Sequence, residues 1–122
     1  MRIFFLIAIC FSCEQGDEMR EEQEAQTLIE MFNEIENLAS SVSCFDSTEW
    51  NFSSYGSKPC GGPKGFIAYS KKIDTTLFLK KIEEHKIREK EYNEQWGIAS
   101  DCMYVSTPII VKCENGNPVL EY

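Results

Sequence analysis

Three groups of side chains in this chain have chemical scope. They are six cysteines (10, 13, 44, 60, 102 and 113), the single histidine His85, and two lysines, Lys58 and Lys64, in a run rich in glycine and proline. Thiols pair, bind metal or act as nucleophiles, and an imidazole moves protons near neutral pH. A lysine on a stiff loop presents a charge to a partner at low entropic cost. Hydrolytic chemistry needs a nucleophile, a base and a group that stabilises charge together. The chain carries no His-Glu-x-x-His, Gly-x-Ser-x-Gly or Gly-x-x-x-x-Gly-Lys-Ser/Thr motif. His85 has an acid four residues on, Glu89. It therefore reads as a salt-bridged helix histidine, or one tucked against a sheet. Zinc needs closely spaced ligands, and from Cys44 onward no Cys-x-x-Cys pair occurs. Neither catalysis, a metal nor a cofactor is expected.

The N-terminus has a different character. After Met1-Arg2, residues Ile3 to Phe11 form an apolar run of nine, and a polar stretch from Glu14 to Glu18 follows at once. A bilayer span needs about 20 apolar residues, so this run fits the core of a signal peptide instead. Cys10-Phe11-Ser12-Cys13 resembles the lipobox of bacterial lipoproteins, and its Phe-Ser-Cys ending is similar to the looser boxes of Bacteroidetes lipoproteins. Ser12 matches the small residue that precedes the acceptor. Cys10 stands where leucine is usual, and Phe11 is bulkier than the common choice.

The resemblance implies a signal peptide over residues 1–12 and lipidation of Cys13 with several acyl chains, palmitate among them. Each buried methylene contributes about 0.8 kcal/mol, so one chain holds marginally and several hold stably. The implied location is the cell envelope, with the outer membrane favoured, facing periplasm or cell surface. In that group, acids just after the lipidated cysteine act in surface export, and Glu14, Asp17 and Glu18 are compatible with such a signal. Residues 44–122 also resemble small envelope lipoproteins carrying Gly-Ser-Lys-Pro-Cys-Gly-Gly-Pro and a terminal Val-Lys-Cys-Glu-Asn-Gly. That resemblance brings no activity and no functional residue with it.

With Cys10 in the leader and Cys13 taken by lipid, four cysteines remain. An even number in an exported chain reads as two disulfides. Of the three pairings, Cys44–Cys60 and Cys102–Cys113 are expected, because each closes a short local loop.

Residues 56–65 hold four glycines and two prolines. That composition makes a constrained loop rather than a strand. Lys58, Pro59, Gly61, Gly62, Pro63 and Lys64 are the candidate binding residues. The leading expectation is a non-enzymatic binding domain that meets a protein partner. The alternative is a protease-inhibitor-like module in which Lys58 or Lys64 is the presented side chain.

The elements that must position this loop can be read on either side of it. Residues 17–40 lack proline and, from 17, glycine, and Leu28, Met31, Phe32, Ile35 and Leu38 recur at helical spacing. The turns around 17–25 are polar and are expected to fray into a tether. Trp50-Asn51-Phe52 and Phe66 to Ser70 read as strands. Asp74 is an N-cap signal for a second helix running to Trp96, with Gly97 as its stop. That helix places Phe78, Ile82, His85, Tyr92 and Trp96 near one face. Met103 to Ser106 and Ile109 to Cys113 read as strands. Asn115-Gly116 is a hairpin signal with Val119 to Tyr122 returning, and Pro118 marks a strand start.

The expected architecture is α+β, a small antiparallel sheet packed against one or two helices and held by two disulfides. The division is a signal peptide at 1–12, a lipidated acidic tether and helix start at 13–27, and a single domain at 28–122. Charge follows the same division. Residues 14–39 carry nine acids and one base, whereas residues 40–122 carry eleven acids and ten bases. No basic footprint for nucleic acid exists, so the expected partners are the membrane, through the lipid, and a protein.

Overall fold

The computed structural model describes residues 13–122, with side chains described from Gly16 onward. The expected leader, residues 1–12, lies outside the described residues, and so does the side chain of Cys13. Helix α1 spans Cys13–Ala39 and helix α2 spans Thr75–Trp96. Between them lie strands β1 (Trp50–Tyr55) and β2 (Gly65–Ser70), and after α2 come β3 (Ile110–Glu114) and β4 (Asn117–Glu121). Among the described residues, no helix is long and apolar enough to cross a membrane.

The strands form two antiparallel hairpins, β1 with β2 and β3 with β4. In the first, Trp50 pairs with Ser70 and Tyr55 with Gly65. Alternation along these strands sends residues to two different neighbours. Tyr55, Ile67 and Tyr69 pack with Ile35, Ala39, Phe78 and Ile82 of the helices. Trp50, Phe52 and Ala68 pack with Cys44, Val111, Cys113 and Leu120. The first hairpin is thus a middle layer, with the helices on one face and the second hairpin on the other. The α+β class is the expected one, and the sheet is divided in two.

Local signals explain the element ends. Asp74 caps α2 by accepting from the Leu77 N–H at 3.0 Å, and Gly97 ends it in the left-handed region at φ 59°. The Asn115-Gly116 turn has both residues at positive φ, 51° and 79°, as a tight hairpin turn requires. Helix α1 buries Leu28, Ile35 and Ala39. It continues unbroken across residues 17–25, the stretch expected to fray. There Trp96 Nε1 donates to Glu24 at 2.7 Å, Tyr92 donates to Glu21 at 3.4 Å, and the Arg20 guanidinium lies 5.2 Å from the Trp96 ring centre. The acidic stretch is therefore docked on α2 from Arg20 onward.

The disulfide pairing differs from expectation. Cys44 bonds Cys113, and Cys60 bonds Cys102. Strand β1 supplies the reason. Its six residues carry the chain about 20 Å away from Cys44 before Cys60 is reached. Meanwhile the Cys44 N–H donates to the Gly116 carbonyl at 2.8 Å, which brings the β3–β4 turn beside Cys44. Cys113 is therefore the near thiol, and the Cα atoms stand 5.2 Å apart. Met103 to Ser106, expected as a strand, is irregular. The Met103 carbonyl is taken by the Lys58 ammonium rather than by a strand partner.

Candidate functional site

The loop joining β1 to β2 is built from below, from the side and from within. From within, the Lys58 N–H donates to the Gly62 carbonyl at 2.9 Å and the Gly61 N–H to the Lys58 carbonyl at 2.8 Å. Gly61 and Gly62 both adopt positive φ, 95° and 81°, where a side chain would be strained. They are exposed at the crest, beside half-buried Pro59 and Pro63.

From below, α2 supplies two buried polar residues. Glu89 accepts the Ser57 N–H on Oε1 at 2.7 Å and the Lys64 ammonium on Oε2 at 2.8 Å. Asn93 donates to the Ser57 carbonyl at 2.9 Å. Both peptide groups of Ser57 are satisfied by the helix, as buried backbone requires. Gly56, at φ 75°, lets this approach happen: a Cβ there would stand 3.0 Å from Glu89 Oε1.

From the side, Cys60–Cys102 ties the loop to residues 98–109, with Cα atoms 5.6 Å apart. The Lys58 ammonium adds a bond to the Met103 carbonyl at 2.8 Å and lies 3.5 Å from Asp101. The two segments form one platform around a cavity of about 270 Å³ that includes Lys58, Pro63, Met103 and Tyr104. Met103 is 71% exposed and Tyr104 85% exposed.

The candidate binding residues thus fall together, Lys58 to Lys64, on one edge of the molecule. Both lysine ammoniums have intramolecular partners, so neither is a free side chain of the kind an inhibitory loop presents. No family model, curated protein or solved structure matches this chain. The platform's chemistry is therefore read from its own residues. Its rim offers an aromatic ring, a thioether and proline faces around glycine backbone. That composition suits contact with another protein surface, where exposed aromatic residues and methionine are enriched. It supplies no nucleophile–base pair.

His85 stands apart from the platform. It is 4% exposed, packed between the helices with its ring centre 5.5 Å from that of Phe32. Burial pushes its pKa below the ordinary 6.5, against the opposing pull of Glu89, with Lys64 adding to the depression and a hydrogen bond to the Leu28 backbone opposing it. Glu89, expected as its salt-bridge partner, spends both oxygens on Ser57 and Lys64.

Ser57, Glu89, Asn93 and the pair Met103 and Tyr104 are the residues of the candidate site that motif reading missed. A signal existed for two of them. Glu89 and Asn93 continue the stripe of Phe78, Ile82 and His85 at steps of three and four, so they lie on the buried face of α2. A charged or amide residue in that stripe needs a partner, and the polar loop is the source of one.

Proposed function

We propose that this chain is an exported lipoprotein, anchored in the cell envelope through acyl chains on Cys13, whose folded domain is a non-enzymatic binding module. The binding surface is the platform of residues 56–65 and 101–105, and its partner is a protein. The observation that carries the reading is the way this irregular surface is held. A disulfide, a buried carboxylate, a buried amide and a lysine all order a loop pair that contributes little to the core. Loops ordered in advance lose less entropy on association, and exposed aromatic groups on such a frame are typical anchors.

Two measurements test the two halves. Intact mass of the membrane fraction should show loss of residues 1–12, added acyl mass, and four hydrogens fewer than the reduced chain. A processed chain without acyl mass removes the anchor. For the binding half, a photo-crosslinking residue at Tyr104 should capture a defined protein in cells, and the same residue at Lys80 on the exposed face of α2 should not. Equal adducts at both positions, or none at either, remove the platform as the binding surface.

A further inference from the structure

Two hairpins of two strands leave four strand edges, and the chain treats them differently. An open edge presents unpaired N–H and C=O groups, which native proteins blunt or cover. In an antiparallel pair these groups point alternately to the partner strand and to the outside. The Lys71 N–H donates to the Glu49 carbonyl at 2.7 Å. With Trp50 opposite Ser70, Asn51, Ser53, Ile67 and Tyr69 therefore bond across the hairpin. Phe52, Ser54, Phe66 and Ala68 turn their backbone groups outward.

On β1, side chains blunt the edge. The outward Phe52 N–H donates to Asn51 Oδ1 at 2.8 Å, and the outward Ser54 carbonyl accepts from Ser53 Oγ at 2.9 Å. On β4 the outward residue opposite Cys113 is Pro118, which has no N–H to offer. Strand β3 lies beside the turn Ser47–Glu49, and its Cys113 is bonded to Cys44. The β2 edge has no such device. The outward N–H and C=O groups of Phe66 and Ala68 have no hydrogen-bond partner among the described residues.

That edge is the floor of a groove of about 640 Å³. One wall is the end of α1, with Glu36 and Ser40, and the other is β4, with Pro118 and Leu120. The α1 wall is negative. The helix has no basic residue in its last turn, its carbonyl end carries partial negative charge, and exposed Glu36 has no ion-pair partner among the described residues. The β4 wall is apolar.

We infer that this groove binds an extended peptide segment of a partner protein, which adds to the first hairpin as a third strand beside β2. Main-chain bonds to Phe66 and Ala68 give affinity, and alternate side chains give specificity. Ile67 faces the helices and Ala68 faces the second hairpin, and a paired residue shares its neighbour's face. The residues opposite Phe66 and Ala68 are therefore apolar and meet Pro118 and Leu120. The residue between them, opposite Ile67, is basic and meets Glu36. A segment of about five residues, an ordinary strand length, fills this edge. A second copy does not fit: its own β2 is recessed between the same two walls, which would meet before the strands came within about 4.8 Å. The groove shares no residue with the platform and does not rest on that reading.

The test is an amide NMR titration of the isotope-labelled, oxidised chain with three peptides. The first is acetyl-Thr-Val-Lys-Val-Thr-amide. The second has glutamate in place of the lysine. The third keeps the lysine and carries a methyl on both valine nitrogens, which removes the strand donors and leaves the side chains. The lysine peptide should give saturable shifts at Phe66 and Ala68 and slow the exchange of both amides. The methylated peptide should bind at least about tenfold more weakly, the worth of one or more hydrogen bonds. The glutamate peptide should bind about threefold more weakly, as for loss of an exposed ion pair. Glu36→Lys, at an exposed position, should reverse the order of the lysine and glutamate peptides. The proposal is overturned if the lysine peptide fails to saturate these shifts by about 5 mM, or if the methylated peptide binds equally well. An unchanged order in Glu36→Lys overturns the basic residue. Shifts at Phe66 and Ala68 that follow protein concentration without peptide assign the edge to a second copy and overturn the partner segment.

Discussion

The two disulfides sit in regions that are ordered by different means. Cys44–Cys113 lies inside the molecule, with Cys44 only 1% exposed and packed with Trp50, Ala68 and Val111. Cys60–Cys102 lies at the edge, where both half-cystines are exposed. The inner bond closes a sequence separation of 69 and the outer one a separation of 42. In the chain-entropy account each alone restricts the unfolded chain by about 4 kcal/mol, since the effect grows only with the logarithm of loop length. The difference between them lies in the native state. The inner bond joins segments that apolar packing also holds. The outer bond joins segments whose order rests on a few polar contacts. Covalent links of equal entropic worth thus do different work: one stabilises a core, the other shapes a surface.

The largest effect that would break this comparison is loss of the inner bond. Cys44→Ala with Cys113→Ala should cost about 4 kcal/mol or more, because a void near Trp50 adds to the lost restriction. Small domains are stable by about 5–15 kcal/mol, so the variant should show a much lower urea midpoint, and tryptophan fluorescence should report it. A loss under about 1 kcal/mol would mean that the inner region needs no covalent link.

Next in size is Glu89→Gln. It keeps the shape and removes the charge that holds Ser57 and Lys64. The expected cost is about 1–2 kcal/mol: the amide oxygen still accepts from the Ser57 N–H, but the charge that strengthens both bonds is lost and an amide NH2 group faces the Lys64 ammonium. Amide exchange should speed up at Ser57 and Lys58 before it does at Ile67 or Phe78. Uniform acceleration would mean that Glu89 supports the whole fold rather than the platform.

How far the molecule was legible in its sequence follows the same divide. Both helices, the first hairpin and the Asn115-Gly116 turn are local: spacing, caps and turn residues specify them within a few positions. The candidate loop is local too, since glycine and proline mark it. The disulfide partners are not. Thiol spacing favours short loops, but β1 is a rigid spacer that separates Cys44 from Cys60, and only the three-layer stacking brings Cys113 to Cys44. The same stacking places Met103 and Tyr104 beside Lys58, which no periodicity in residues 98–109 announces. Glu89 looked like a partner for His85 because both share a helix. A loop N–H and the Lys64 ammonium took its two oxygens, since an unpaired buried N–H is costly whereas burial keeps the imidazole neutral and without need of a counter-charge.

A third prediction sharpens the contrast from the outer side. Cys60→Ala with Cys102→Ala should lower global stability by less than the inner pair, about 1–2 kcal/mol. The freed native segments regain entropy that offsets much of what the unfolded chain regains. Its larger signature is local: faster exchange over residues 57–64 and 99–106, with protection of α2 retained. If the platform is the binding surface, partner capture at Tyr104 weakens in this variant while the fold persists.

The smallest effect concerns the helix interface under the outer region, where His85 lies beneath Lys64 and Glu89. Burial holds its pKa below the ordinary 6.5. Above that value both folded and unfolded chains keep the ring neutral, and the histidine is indifferent. As pH falls below about 6.5 the unfolded chain takes a proton that the folded chain refuses, so the unfolded state binds more protons and stability drops. The loss stops growing once the folded ring protonates as well. The groups facing the ring set how far this goes: the Leu28 backbone and Glu89 favour the charged form, whereas Lys64 opposes it. Urea midpoints measured between pH 8 and pH 5 should therefore sag on the acid side of 6.5, and His85→Gln should remove that part of the sag while leaving the carboxylate-driven fall at lower pH. An unchanged profile in His85→Gln would mean that the ring protonates in place, and that the helix interface tolerates a charge which its apolar walls give no reason to expect.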